Sequence, residues 1–249
     1  VNKQQKYTAV VLAAGQGTRM KSDLPKVLHP VCGETMVARV LRACFDAELE
    51  TVVTVVGYGR ERVEDSLRSD FATVPTLLFA VQDVQRGTAD AVRCGLSALE
   101  DFAGWVFILY GDVPNIRASS LEALKSIAIQ DGVAFISMRV DDPTGYGRVL
   151  RENGVPVSIV EHQECTDEQL AIHEVNAGLY LIHSDFLRLH LGQVDSGNSA
   201  DEFYLTDLIA IAAKRGGVHA WTVSDPAEVM GVNTLEQLAA AERWALLHH

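Results

Sequence analysis

The chain has 249 residues, 48% of them hydrophobic and 22% charged, an ordinary globular balance with length for one large domain or one domain with an appendage. Its formal charge of −12 speaks against a nucleic-acid surface, which needs a basic stripe, yet allows a phosphate ligand held by a few cations focused in one cleft. No apolar run of about 18 residues marks a membrane span, no apolar signal core follows the first six residues, and four scattered cysteines without metal-ligand spacing predict buried thiols in a reducing cytoplasm.

The first predicted strand, residues 9–12, runs into LAAGQGTRM (12–20), with Leu24, Pro25 and Lys26 close behind. Small residues let backbone N–H groups approach an anion, and Arg19 and Lys26 add full positive charge. The loop is neither a P-loop, lacking Gly-Lys-Ser/Thr, nor a complete dinucleotide fingerprint, since Met20 replaces the last glycine. It reads as a nucleoside triphosphate cradle.

Further short β-branched runs predict strands over 51–56, 76–81, 105–109 and 133–140. Helical faces lie between them: Met36, Val37, Val40, Leu41 and Cys44; Ala89, Val92 and Leu96; Leu121, Leu124, Ile127 and Ala128. Strand alternating with helix predicts an α/β fold with a doubly wound, mostly parallel sheet, whose ligands sit beyond the carboxyl ends of the strands. Gln82 follows the third strand and offers a donor and an acceptor to a base edge; Gly87 permits close backbone approach and Thr88 can cap the next helix. Tyr110-Gly111-Asp112 stands at the end of the strand 105–109, where a carboxylate suits Mg²⁺.

From residue 141 to about 182 the turn density rises, and short strands over 147–150, 157–161 and 177–182 read as a small antiparallel lid or sugar-binding subdomain on the same sheet. Gly147, Glu161 and Asn176 supply close backbone, a carboxylate and an amide there; His162 and His173 read as structural or solvent-facing. Helices over 184–191 and 205–213 and a strand near 219–223 follow. A last helix starts near Thr234, capped by Asn233 or Thr234, with Leu235, Leu238 and Ala239 on its buried face; the closing His248 and His249 are assigned no role. The domain expectation is one nucleotide-binding domain over 1–233, with a nucleotide half (about 1–115) and a half for the second substrate, read as a sugar (about 116–233), then a helix over 234–249 that begins a linker arm.

These segments in this order resemble the sugar-nucleotide-forming nucleotidyltransferases, and within them the uridyltransferase domain of the bacterial bifunctional N-acetylglucosamine-1-phosphate uridyltransferases. The likeness rests on LAAGQGTRM (12–20), KSDLPKVLH (21–29), YGDVP (110–114), DDPTGYGR (141–148), IVEH (159–162), EVNAG (174–178), EFYLTD (202–207) and GVN (231–233), across essentially the whole chain. The resemblance implies a cytoplasmic enzyme of cell-wall precursor synthesis that makes UDP-N-acetylglucosamine and pyrophosphate from UTP and N-acetylglucosamine-1-phosphate, with Mg²⁺ as cofactor and neither nucleic acid nor membrane as partner. It implies nucleotide contacts at Leu12, Ala13, Ala14, Gly15, Gln82, Gly87 and Thr88, and catalytic phosphate contacts at Arg19 and Lys26. Tyr110, Gly147, Glu161 and Asn176 would line the sugar-phosphate site, and Asp112 and Asn233 would hold the metal.

Two positions depart from the resemblance: Asp90 stands where the family usually has histidine, and Ala177 where it has threonine. The segment GTADA (87–91) instead favours a related enzyme forming UDP-glucose or an ADP- or dTDP-sugar, and a non-catalytic nucleotide-sensing module is a further alternative opposed by the joint presence of Arg19, Lys26, Asp112 and Asn233. Characterised members continue into a helical arm and a left-handed β-helix that acetylates glucosamine-1-phosphate. No hexapeptide repeat is present here, so acetyl transfer is not expected of this polypeptide, and a trimer only if the parent protein carries that β-helix.

Overall fold

The computed structural model describes residues 5–74, 76–128 and 132–248, so the readings of residues 1–4 and His249 lie outside the described residues. The chain begins with β1 (Tyr7–Ala13), the short pair β2 (Pro30–Val31) and β3 (Glu34–Thr35), and α1 (Met36–Asp46). There follow β4 (Thr51–Val56), α2 (Arg60–Asp70), β5 (Leu77–Val81), α3 (Thr88–Ser97), β6 (Trp105–Tyr110) and α4 (Ala118–Ile127). β7 (Val133–Arg139) leads to a hairpin of β8 (Arg148–Glu152) and β9 (Val155–Val160), then α5 (Asp167–Leu170) and β10 (Glu174–His183). α6 (Ser184–His190), α7 (Asp207–Ala213), β11 (Val218–Thr222) and α8 (Leu235–His248) complete the chain.

The main sheet has the order β11-β7-β10-β6-β1-β4-β5. β1 pairs in parallel with β4 and β6, β4 with β5, and β11 with β7; β10 alone runs antiparallel, between β6 and β7. Each central strand is apolar on both faces because each face carries helices. Alternate residues of β1 show it: Ala9, Val11 and Ala13 join one core with Val37, Leu41, Val63, Leu67, Leu121 and Leu124 of α1, α2 and α4. Val10 and Leu12 join the other with Val92, Leu187, Leu208 and Ile209 of α3, α6 and α7. This is the doubly wound, mostly parallel α/β architecture read from the sequence. Of the strands read as a small antiparallel subdomain, however, only β8 and β9 form a separate hairpin, joined to β10 through the Val175–Arg148 pairing. β10, which holds 177–182, is instead a central strand of the main sheet because it pairs with both β6 and β7.

The antiparallel strand matters for the site. Tyr180 pairs with Ile108, so the start of β10, with Asn176, lies at the edge where β1, β4, β5 and β6 end. The register of β10 against β7 shifts between Asn176 and Tyr180, and Gly178 inside that irregularity has φ +77°. A Cβ there would lie 2.8 Å from the Tyr110 ring, so glycine is required both by the dihedral and by the close ring.

Several sequence expectations need correction. α2 gives little apolar signal because only Val63 and Leu67 are buried; its outer face is tied by Arg60–Glu64 and Arg68–Glu64 pairs one turn apart. In α8 the buried positions are Ala241 and Ala245, packed with Val31, Met36 and Val232; Leu238 is partly buried against them, whereas Leu235 and Ala239 are exposed. Thr234 caps α8, its Oγ1 accepting from Gln237 N–H at 3.2 Å. Among the cysteines only Cys44 is buried; Cys32, Cys94 and Cys165 are half-buried, and all four are free.

Gly95 of α3 sits against β1, where an added Cβ would lie 2.4 Å from Val10 Cγ1. Gly95→Ala gains helix propensity but overpacks a buried strand, so a net loss of roughly 1–2 kcal/mol is expected. Urea unfolding checks this; a stabilised variant would contradict the α3–β1 packing.

Candidate functional site

The carboxyl edge of the sheet opens into a cavity of about 470 Å³. Its lining includes Leu12, Ala13, Ala14 and Gly15 after β1, Gln82, Gly87 and Thr88 after β5, and Tyr110 and Asp112 after β6. Lys26, Gly147, Glu161, Asn176 and Asn233 complete the expected set, so every sequence-predicted site residue except Arg19 lines this one space. Arg19 is exposed and bonds to the set from outside, its Nη2 donating to Asn233 Oδ1 at 2.8 Å.

The first loop owes its shape to glycine and methionine. Gly17 has φ +68°, and a Cβ on it would lie 2.4 Å from Lys26 Cβ. Met20, 1% exposed, anchors the short turn at residues 18–20. Lys26 can therefore pass directly beneath the loop, and its Nζ donates both to Asp112 Oδ2 and, at 3.0 Å, to Asn233 Oδ1. The GVN segment is fixed beside Asp112 because Val232 N–H donates to the Asp112 carbonyl at 2.9 Å. Asn233 does not cap α8; its side-chain oxygen instead accepts from both cations.

The two oxygens also test the fit of a metal. Asp112 Oδ2 and Asn233 Oδ1 converge on one ammonium, so two hard oxygen donors already share a cation position. Among the described residues no cluster of three or more His, Cys, Asp or Glu could hold a metal by itself. A divalent cation here would need further oxygens from phosphate and water, as Mg²⁺ commonly does.

On the β5–α3 side, Gly87 has φ +106°, and a Cβ there would lie 2.6 Å from the Phe203 carbonyl oxygen. The close approach inferred for Gly87 is thus to the backbone of residues 202–205, which Ala89 N–H and Phe203 N–H lock to this turn. Thr88 is the first residue of α3 rather than its cap; its Oγ1 accepts from Leu205 N–H at 2.9 Å. The Gln82 amide nitrogen donates to Asp90 Oδ2 at 2.9 Å and to the Gly87 carbonyl at 3.2 Å.

On the side of β8, β9 and β10, a Cβ on Gly147 would lie 2.8 Å from Ile159 Cγ2 and 3.4 Å from Glu161 Oε2, so backbone rather than side chain faces the carboxylate. Asn176 Nδ2 donates to Tyr180 Oη at 2.6 Å and its Oδ1 accepts from Gly178 N–H at 2.9 Å, leaving one amide proton for a ligand. Burial, with Glu161 nearby, pushes the Tyr110 phenol upward and keeps it a neutral donor. Burial also raises the Glu161 carboxyl, opposed by the Thr206 hydroxyl that donates to Oε1 at 2.9 Å and reinforced by Asp207 and Glu202. His162 sits beside Arg148 and His173 Nδ1 lies 2.8 Å from the Val140 carbonyl, both structural positions as expected.

Sequence reasoning assigned nothing to Tyr146, Gln85, Glu202 or Tyr204, which also line the cavity. The Tyr146 hydroxyl is buried without a hydrogen-bond partner. The available signals were position within GYGR for Tyr146 and within EFYLTD for Glu202 and Tyr204.

The model of the MobA-like NTP transferase domain matches residues 9–188. The bifunctional protein GlmU of Sorangium cellulosum is 45% identical over 240 residues, 94% of this chain and 51% of that protein. The protein of the same name from Kineococcus radiotolerans is 43% identical over 250 residues, 95% of this chain and 50% of that protein. The chain therefore spans about half the length of the curated relatives it matches. Two solved structures share the fold: a nucleotidyl transferase from Methanothermobacter thermautotroptrophicus (TM-score 0.70, 19% identity, 98% of this chain and 99% of that one). The other is a putative glucose-1-phosphate thymidylyltransferase from Bacillus anthracis (TM-score 0.74, 21% identity, 96% and 95%).

A carboxyl raised by burial costs stability once pH exceeds its unfolded value, because the folded state then holds its proton more tightly than the unfolded state does. Glu161→Gln is thus expected to melt at or above the parent temperature at pH 7, the gain fading as pH falls toward the ordinary glutamate range. Thermal denaturation at both pH values checks it; a lower Tm at pH 7 would make the carboxylate a net stabiliser.

Proposed function

The chain belongs to the MobA-like NTP transferase domain family, and from that premise and the cavity we propose that it transfers the uridylyl group of UTP to N-acetylglucosamine-1-phosphate, giving UDP-N-acetylglucosamine and pyrophosphate. The observation that carries the reading is the convergence, at one sheet edge, of a cation-bearing loop, a carboxylate–amide pair and a sugar-sized set of polar groups from the second half of the chain. Relatives at 43–45% identity named bifunctional protein GlmU favour this acceptor over other sugar-1-phosphates.

The chemistry asks little of acid–base catalysis. The nucleophile is a phosphate oxygen of the sugar phosphate, whose second pKa of about 6 leaves it largely a dianion at neutral pH. That oxygen bonds to the α-phosphorus of UTP as the bond to the β-phosphate bridging oxygen breaks, and the electron pair leaves with pyrophosphate. The obstacle is repulsion between anions. Arg19 and Lys26 offset it and hold the triphosphate for in-line attack, and backbone N–H groups of residues 12–15 receive the nucleotide. Asp112 and Asn233 would hold Mg²⁺, which when bound supplies further neutralisation of phosphate charge. Glu161 accepts from sugar hydroxyls, Tyr110 and Asn176 donate, and Gly147 keeps the acceptor close to the backbone. Gln82, Gly87 and Thr88 shape the base side of the cleft.

Among the described cavity-lining residues there is no serine, cysteine or histidine, which fits direct transfer between bound phosphates. The function is tested by pyrophosphate release from UTP and Mg²⁺ with N-acetylglucosamine-1-phosphate, glucosamine-1-phosphate and glucose-1-phosphate in parallel. Release restricted to the N-acetylated acceptor is expected; preference for glucose-1-phosphate, or for another triphosphate, would keep the family and overturn the substrate. Arg19→Ala should lower turnover on the order of 10²–10³-fold, and a near-normal kcat would remove its role. Asp112→Asn should shift the Mg²⁺ activation curve to higher concentration, and an unchanged curve would take Asp112 out of the metal site.

A further inference from the structure

Gln82 is 4% exposed and stands immediately after β5, at the wall of the cavity. Its amide has two faces of opposite hydrogen-bonding character, and a glutamine free to rotate could offer either to a ligand. Here it is not free. The two groups on its nitrogen side, the Asp90 carboxylate and the Gly87 carbonyl, can only accept, so the NH₂ must face them at 2.9 and 3.2 Å. Both amide protons are thereby used, and the carbonyl oxygen Oε1 is what Gln82 has left to offer the cavity.

Asp90 is itself held. It lies in the first turn of α3, with Arg93 Nη1 3.8 Å from its other carboxylate oxygen. The Arg93 guanidinium is fixed in turn over the Phe203 ring, 4.7 Å from its centroid, and donates to the Leu191 carbonyl at 3.0 Å. The orientation of one amide is thus set by a packed chain of Phe203, Arg93 and Asp90.

Resting on the uridylyl reading above, we propose that Asp90 is a specificity-positioning residue for the nucleobase: it locks Gln82 as an acceptor, so the site takes a base whose pairing edge presents a ring N–H. Uracil has that N–H at N3. Cytosine has a lone pair at the same ring position, which would oppose Oε1 and leave a buried acceptor unpaired. Asp90 touches no ligand in this scheme and acts only through Gln82. The carboxylate is taken up by the Gln82 amide on one oxygen and faced by Arg93 on the other.

The test is equilibrium binding of UTP and CTP, each with Mg²⁺, by titration calorimetry, which needs no turnover. The parent should bind UTP more tightly than CTP. Asp90→Asn is nearly isosteric but can present nitrogen as well as oxygen, so it leaves the 3.2 Å bond to the Gly87 carbonyl as the one fixed restraint on the Gln82 amide and loosens its orientation. The ratio of CTP to UTP dissociation constants should fall by roughly tenfold, the scale of one neutral hydrogen bond. In a Gln82→Ala background the same Asp90→Asn change should move the ratio by less than about twofold, because the relay has lost its last member. Asp90→Ala, read in the same way, serves if Asp90→Asn does not fold. Equal affinity of the parent for both nucleotides, binding of neither, an equal loss for both in Asp90→Asn, or the same shift without Gln82 would each overturn the proposal. Failure of the uridylyl reading would show separately, as base-selective binding without pyrophosphate release.

Discussion

The Lys26 ammonium, shared between Asp112 and Asn233, is the contact on which the site depends. It ties together three segments far apart in the chain: the loop after β1, the lip of β6 and the turn before α8. With Arg19 on the same Asn233 oxygen, two cations meet one carboxylate and one amide in a half-buried place, where charge pairs are screened less than at the open surface. The same oxygens suit a hard divalent cation. Under the proposed function, a metal on Asp112 and Asn233 and a triphosphate on Lys26 and Arg19 would regroup these charges without adding a new element of structure.

Around that hub the fold spends conformational freedom where close approach is needed. Gly17 lets Lys26 pass under the loop, Gly87 seats α3 against the backbone of residue 203, and Gly178 opens β10 beside Tyr110. Each has positive φ, and at each a Cβ would fall within 3 Å of a neighbour. The chain carries −12 overall, yet Lys26 lines the cavity near Asp112 and Arg19 stands exposed against Asn233, while Glu161 and Glu202 line the cavity as well. Under the proposed function the cations face the phosphates and the carboxylates of Glu161 and Glu202 are left for hydroxyls.

The parallel strands were legible because burial on both faces turns them into continuous apolar runs, and the loop at residues 12–20 because small residues and cations at a strand end have few other uses. α2 was not legible: Val63 and Leu67 alone face the core, and ion pairs along its outer side leave almost no apolar period. Nor could spacing show that β10, read as part of a peripheral subdomain, is a central strand of the main sheet, since antiparallel insertion is decided by long-range pairing. At the site, residue types were readable but their partners were not. Thr88 was expected to cap a helix and instead bonds Leu205; Asn176 was expected to face a ligand and spends most of its amide on Tyr180 and Gly178. Tyr146 went unassigned because an aromatic between two glycines carries no chemistry until its buried hydroxyl is seen without a partner.

Under the proposed function, charge placement drives a direct displacement at the α-phosphorus, with no protein nucleophile in between. The stereochemical course of the reaction tests it. With UTP carrying a chiral thiophosphate at the α-position and N-acetylglucosamine-1-phosphate as acceptor, the configuration of the product can be read by phosphorus NMR. A single in-line displacement inverts that centre, and inversion is the expected result. Retention would require two displacements through a nucleotidylated side chain and would contradict the reading of the Arg19–Lys26–Asp112–Asn233 cluster as a purely electrostatic device.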